Sequence, residues 1–522
     1  MREFKNSPIL VFTGLLTVCL AVACTSPYPS NVTATLKAAG DNRAELEEVL
    51  DYFTEKGDSL QLQAAYYLIG NMEGHSFVTY DLLDTSGQNV PFDVLDYPDY
   101  DAAILVLDSI KKEHGELDFK SEIAARDVET ITAEFLIDNI ELAFEAWRTR
   151  PWAKDLSFGD FCDGVLPYRG SSEPLEPWRR EFMARYADLE SKMKDSTDPA
   201  EAASLINDDI MKWFTFDPLY YLHPTDQSMR QMLASGLGRC EDMTNITIYA
   251  MRANGLAVTS DYTPHWANTG NNHAWNAIIT PTENSIPFMG AEAAPRQYKL
   301  HNRLAKAYRK LFAKQPGNLG MIKPDHIKVP GWLRGKSYKD VTGNYVDVCD
   351  VTIEFDNPVP DSVSYAYLCV FNSGDWRAIH WAPVDNGKAV FTDMGMEIAY
   401  CPAFYLNEEL VPCGPPFILD ADGIQHPIVA DTTTNTLLNL TNITIRAQLS
   451  STDGVAKYNL TPEQEYELFC WQNGWRSLGQ QTATGQPLAF TAPADGLYWL
   501  VAKDSRKDER IFTWENGRQI WW

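Results

Sequence analysis

A change in hydrophobic period divides this chain and limits what it can fold into. From about residue 36 to 150, segments such as AELEEVLDYF, LQLQAAYYLIGNM and VETITAEFLIDNIELAFEAW repeat apolar residues three and four apart, the spacing of amphipathic helices. Ile131, Phe135, Ile137, Leu142 and Phe144 can share one broad face. Beyond about Tyr345 the pattern becomes YVDVCDVTIEF, VSYAYLCVF, KAVFTDM, EYELFCWQ, LYWLVA and RIFTW. These runs are short, β-branched or aromatic, and are separated by turn residues such as DNG, ADG and ENG. The two periods require different layers. We therefore expect a multidomain protein with a helical N-terminal domain over 36–150, an α+β core over 151–344, a β-sandwich-like domain over 345–432 and a second β-rich domain over 433–522. A length of 522 residues alone suggests about three domains.

The middle segment is the least regular. WAKDLSFGDFCDGVLPYRGSSEPLEPW, Trp152 to Trp178, carries Pro167, Pro174 and Pro177, which interrupt regular structure. It reads as a crossover or lid, with Tyr168, Arg169 and Glu173 as candidates for a substrate rim or, equally, for salt-bridged lid structure. Helical pattern returns in REFMARYADLESKM and AEAASLINDDIMKWF. A further helix runs to about Ala253 and stops at Asn254 and Gly255.

Composition excludes some functions. A formal net charge of −27 argues against a nucleic-acid partner, because a phosphate backbone needs a Lys/Arg surface to displace its counterions. There is no C-x-x-C and no H-E-x-x-H, and the histidines are scattered, so neither a metal site nor a cofactor is expected.

The first 24 residues carry Arg2 and Lys5, then an apolar run from Pro8 to Ala23, the layout of a secretory signal. The run ends in LAVAC, which resembles the lipobox of bacterial lipoproteins. That resemblance implies that Cys24 is the lipid-attachment residue and that the mature chain is a membrane-anchored cell-envelope protein, facing the periplasm or the outer membrane; ordinary signal cleavage is the other reading. Seven cysteines then remain, Cys162, Cys240, Cys349, Cys369, Cys401, Cys413 and Cys470. The last five lie in strand-like segments as core residues or disulfide candidates, although an odd total leaves at least one thiol free. Trp471, Trp475, Trp499, Trp514, Trp521 and Trp522 could stack on sugars, but strand cores use the same residues.

One cysteine stands in a different setting. SGLGRCEDMTN, Ser235 to Asn245, places Cys240 after two glycines and at the start of a helix, where unpaired N–H groups and the helix dipole favour a thiolate. Downstream, NNHAWNAII places His273 at the head of an apolar run that reads as a strand. After the turn TPTENS, IPFMGAE could pair with it, with Glu292 near its end to orient the imidazole.

G-x-G-x-C-x-D, then R-A-N-G-L, then H-A-W resembles the transglutaminase-like superfamily, over about Asp209 to Pro295. The resemblance implies a papain-like thiol core with Cys240 as nucleophile and His273 as general base; Asp242, Arg252, Gly255 and Trp275 also match the pattern, and Trp275 is a further rim candidate. The pattern departs at the acid, since Gly290 stands where the family has aspartate and Glu292 follows two residues later. FLIDNIELAFEAW, LPYRGSSEPLEPW and ELFCWQNGW further resemble stretches of transglutaminase-like lipoproteins of the Bacteroidetes type. The implied activity is acyl transfer on a peptide or glycopeptide amide through a Cys-His-acid triad, hydrolysis being preferred to cross-linking. The alternative is a non-catalytic binding lipoprotein, with a degraded thiol core and β domains that hold a glycan or cell-wall partner. Oligomeric state is left open.

Overall fold

The computed structural model describes residues 27–281, 285–445, 460–503, 505 and 509–522. The expected lipid-attachment residue, Cys24, lies outside the described residues. Among them, no helix is long and apolar enough to cross a membrane.

The N-terminal region begins with the helices Ser30–Ala38, Arg43–Lys56 and Ser59–Asn71. Gly57, at φ 76°, ends the second, and the Asp58 carboxylate caps the third by accepting the N–H groups of Leu60 and Gln61. A longer helix, Ala133–Thr149, starts on the Thr132 hydroxyl. The region is helical as expected, with one interruption between them. Ser76–Leu83 and Asp118–Arg126 pair as antiparallel strands, with the helix Tyr100–His114 in their connection. The hairpin is mostly solvent-exposed on its second strand, so no hydrophobic alternation marks it in the sequence.

No boundary in the core falls at residue 150. One hydrophobic core runs without a break from Val32 through Phe144, Phe161, Ile246 and Trp275 to Val341. Trp152 Nε1 donates to the carbonyl of Asn254 at 2.8 Å. Gly255 sits at φ +76°, and a Cβ there would lie 2.9 Å from the Ala146 carbonyl oxygen. The close approach of the Ala133–Thr149 helix thus requires glycine.

At the centre, the helix Cys240–Ala253 is buried from Asp242 to Ala253. It packs on a five-stranded antiparallel sheet ordered Ile286–Phe288, His273–Ile278, Val258–Thr263, Tyr308–Lys310, Tyr338–Asp340. Arg252, at the helix's far end, donates to the carbonyls of Val258, Arg169 and Pro167 and ties helix, sheet and crossover together.

The C-terminal region is all β. One sandwich faces the strands Val348–Glu354 and Lys388–Gly395 onto a six-stranded sheet; the other faces Asp431–Leu440 and Leu488–Ala494 onto a five-stranded one. Each has its own apolar filling. A third cluster, with Trp376, Trp471, Trp499 and Phe371, lies between them. Trp471, Trp499 and Trp521 are therefore packing residues, not an exposed sugar platform. All seven described cysteines are free, including Cys369 and Cys401, which face each other across neighbouring strands.

Candidate active site

Two glycines and one buried carboxylate set the turn before Cys240. Gly236 is at φ +65°, and a Cβ on Gly238 would lie 2.6 Å from the Asp242 Cβ and 2.8 Å from the Phe214 ring. The Asp242 carboxylate accepts the N–H of Arg239 at 3.0 Å and that of Gln227 at 2.9 Å, and Arg239 pairs with Asp226. Cys240 is thus the first residue of its helix, and it is half-buried. Its sulfur meets the hydroxyl of the exposed Tyr221 at 3.6 Å. Burial raises the thiol pKa, opposed by the Tyr221 contact and the residue's own N–H, while the carboxylates of Glu292 and Glu241 push it further up.

His273 opens its strand directly opposite Thr263, and Asn271, at φ 73°, turns the chain into it. The imidazole stacks near Trp266, ring centroids 5.9 Å apart. Its Nε2 is 2.7 Å from the hydroxyl of Tyr298. Burial lowers the imidazole pKa, so the ring is neutral at pH 7 and able to accept a proton. Burial, with Glu292 and Cys240 nearby, raises the Tyr298 pKa and keeps it a phenol.

The residue bonded to the ring nitrogen is Tyr298; the residue expected there was Glu292. Among the described residues no hydrogen bond joins Glu292 to His273, or Cys240 to His273. The chain turns after Phe288 and is held by Asn276, which accepts the N–H of Gly290 at 3.1 Å, and by Asn207, which accepts that of Ala291 at 2.8 Å. Ala291 takes φ 57°, and Glu292 is left exposed. Gly290 is hemmed in: a Cβ would lie 2.4 Å from Thr247 Oγ1, 2.6 Å from Asn276 Oδ1 and 2.8 Å from the Met243 carbonyl oxygen. An aspartate cannot occupy this position without displacing the Cys240–Ala253 helix or Asn276. Tyr298 lies outside regular structure, so neither period nor motif flags it.

None of the expected rim residues stands on an outer rim. Tyr168, Arg169 and Glu173 are 1%, 5% and 2% exposed. The Tyr168 hydroxyl donates to Asp127 at 3.1 Å and Arg169 Nε to the same carboxylate at 2.6 Å, while the Glu173 carboxylate accepts the N–H groups of Gly170 and Ser171. Charged groups are buried where they are paired; here the partner, Asp127, comes from before the long helix. Trp275 is wholly buried, edge-on to Tyr345. Beside the thiol stand instead the exposed rings of Tyr221, in contact with the sulfur, and of Phe216, 5.8 Å from that of Tyr221.

Among the described residues, no group of three or more His, Cys, Asp or Glu side chains is placed to hold a metal ion. A comparison with curated proteins returns no match. The family model of the transglutaminase-like superfamily matches residues 187–288, a span holding both Cys240 and His273. The chain therefore carries a transglutaminase-like superfamily domain at its centre, a fold family that comprises mainly cysteine-type enzymes.

Proposed function

We propose that the protein is a lipid-anchored thiol enzyme of the cell envelope that hydrolyses amide bonds in peptides or glycopeptides, with Cys240 as nucleophile and His273 as general base. The observation that carries this reading is the bond between His273 Nε2 and Tyr298. In the tautomer whose Nε2–H donates to the phenol oxygen, Nδ1 is unprotonated and able to take the thiol proton.

In this mechanism the proton of Cys240 passes to His273 as the sulfur attacks the substrate carbonyl. The resulting oxyanion is met by the first-turn N–H groups of the helix, that of Cys240 foremost. His273 then gives its proton to the departing amine, leaving a thioester. Water, deprotonated by His273, attacks the thioester; the acid product leaves and the thiol is restored. An amine in place of water would give cross-linking. Glu292 enters only as a charge that raises the pKa of Cys240 and of Tyr298, not as a partner of the imidazole.

Alkylation of the native protein with iodoacetamide at neutral pH tests this against a non-catalytic scaffold whose β domains bind a glycan or cell-wall partner. Rapid labelling confined to Cys240 and slowed in His273→Ala, together with release of amine from peptide or glycopeptide amides, is the expected result. A sluggish thiol indifferent to His273 would leave the binding reading in its place.

A further inference from the structure

A polar cavity lies on the sheet face that carries the thiol helix. Its volume is about 310 Å³, and its walls include Arg169, Arg252 and Lys310 and, among the described residues, no carboxylate. Arg169 is already committed to Asp127, and Lys310 to Glu241, the residue after the thiol. Arg252 is different. It is 4% exposed, its bonds run from Nε and Nη1 to three carbonyls, and among the described residues Nη2 has no hydrogen-bond partner. The carboxylate that acts on it most, Glu173, is occupied by two backbone N–H groups. Ser260, 2% exposed and also in the wall, buries a hydroxyl with no partner among the described residues. A buried cation without an ion pair and an unsatisfied hydroxyl beside one cavity are both costly unless something polar completes them.

The approach to this cavity has the same sign. His75 and Ser337 line both it and a neighbouring one of about 540 Å³, whose walls carry Arg126, Lys314, Arg334 and Lys336 against the single carboxylate of Glu73. Lys314, Lys336 and Arg126 together hold the Glu73 carboxyl below its ordinary pKa. On a chain of net charge −27, such a local excess of cations focuses an attractive field for anions.

We infer that the cavity lined by Arg252, Ser260 and Lys310 is a carboxylate-binding subsite, entered through the cationic mouth, and that the amide substrate carries the carboxylate it holds. The inference rests on the proposed thiol activity for the word substrate, but not for the binding. Arg252 Nη2 and the Ser260 hydroxyl donate to the carboxylate, and Lys310, shared with Glu241, links the bound end to the helix turn that bears Cys240.

The test uses the full chain with Cys240→Ala, so that binding is read without turnover. Calorimetry compares N-acetyl-trialanine with its C-terminal amide, and succinate serves as a free dicarboxylate. We expect the acid to bind about tenfold more tightly than the amide, the scale of one charge-assisted hydrogen bond. Ser260→Ala and Lys310→Met should each erode that preference. Ser260→Ala removes a hydroxyl that bonds to nothing among the described residues, so an unchanged circular dichroism spectrum is expected of it. In Arg126→Gln/Lys336→Gln the salt dependence of binding should flatten. Succinate binding with no preference between acid and amide would overturn the substrate assignment, and no response to either probe would overturn the site; the alkylation test of Cys240 stands apart from both.

Discussion

The phenol of Tyr298 and the imidazole of His273 meet at 2.7 Å through Nε2, while the exposed Glu292 makes no hydrogen bond to that ring among the described residues. If the phenol holds the tautomer, Tyr298→Phe should slow iodoacetamide labelling of Cys240 by about tenfold, the worth of one buried hydrogen bond. Its melting temperature should change little. Labelling rates followed from pH 5 to 9 would show the apparent imidazole step displaced, which a purely structural role would not produce.

Glu292→Gln separates two roles for that acid. Its charge disfavours the thiolate of Cys240, so removing it should lower the thiol pKa and raise the labelling rate at a fixed neutral pH. A third triad member would give the opposite sign. Stopped-flow alkylation of the variant and its parent decides between them.

Gly290→Ala should destabilise the fold by about 1–3 kcal/mol, as overpacking a filled core does, because its Cβ would lie 2.4 Å from Thr247 Oγ1. Gly290→Asp should be worse still, and should not improve activity. Urea unfolding midpoints give the first result, and peptide-amide hydrolysis the second.

Asp127→Ala leaves Arg169 buried and unpaired. Loss of one partner from a buried ion pair costs about 3–5 kcal/mol, a large part of a typical stability. Thermal unfolding should show a drop of many degrees. In the fraction that remains folded, Cys240 labelling should be unchanged, as expected of a structural rather than a rim residue.

Acid should destabilise the protein through its histidines. Burial depresses the pKa of His265 to about 4, and burial also lowers those of His75 and His380. A depressed folded-state pKa contributes stability above the unfolded value, about 6.5, and that stability is lost as pH falls through the folded value. Denaturant midpoints should therefore decline between pH 6.5 and 4, and His265→Gln should flatten the decline.

The thiol helix and the imidazole strand were legible because both are marked locally: two glycines that steric contact demands, a helix period, and a polar start to an apolar strand. The all-β region was legible from its alternation and turns. Three things were not. Tyr298 reaches His273 from an irregular segment, where neither period nor spacing constrains a side chain. The hairpin Ser76–Leu83 with Asp118–Arg126 exposes most of its second strand, so burial never imposed a pattern on it. Tyr168, Arg169 and Glu173 resemble surface residues by type; the distant Asp127 satisfies the first two, and the N–H groups of Gly170 and Ser171 satisfy the third.

The apolar interior that runs from Val32 to Val341 bears on how the chain can be cut. Residues 187–288 alone would strip the Cys240 helix of Phe144, Trp152 and Phe161 and present a wet, unsupported flank. Excision of the family segment should yield an aggregating fragment, and proteolysis of the intact chain should release the β sandwiches before it divides the first 341 residues.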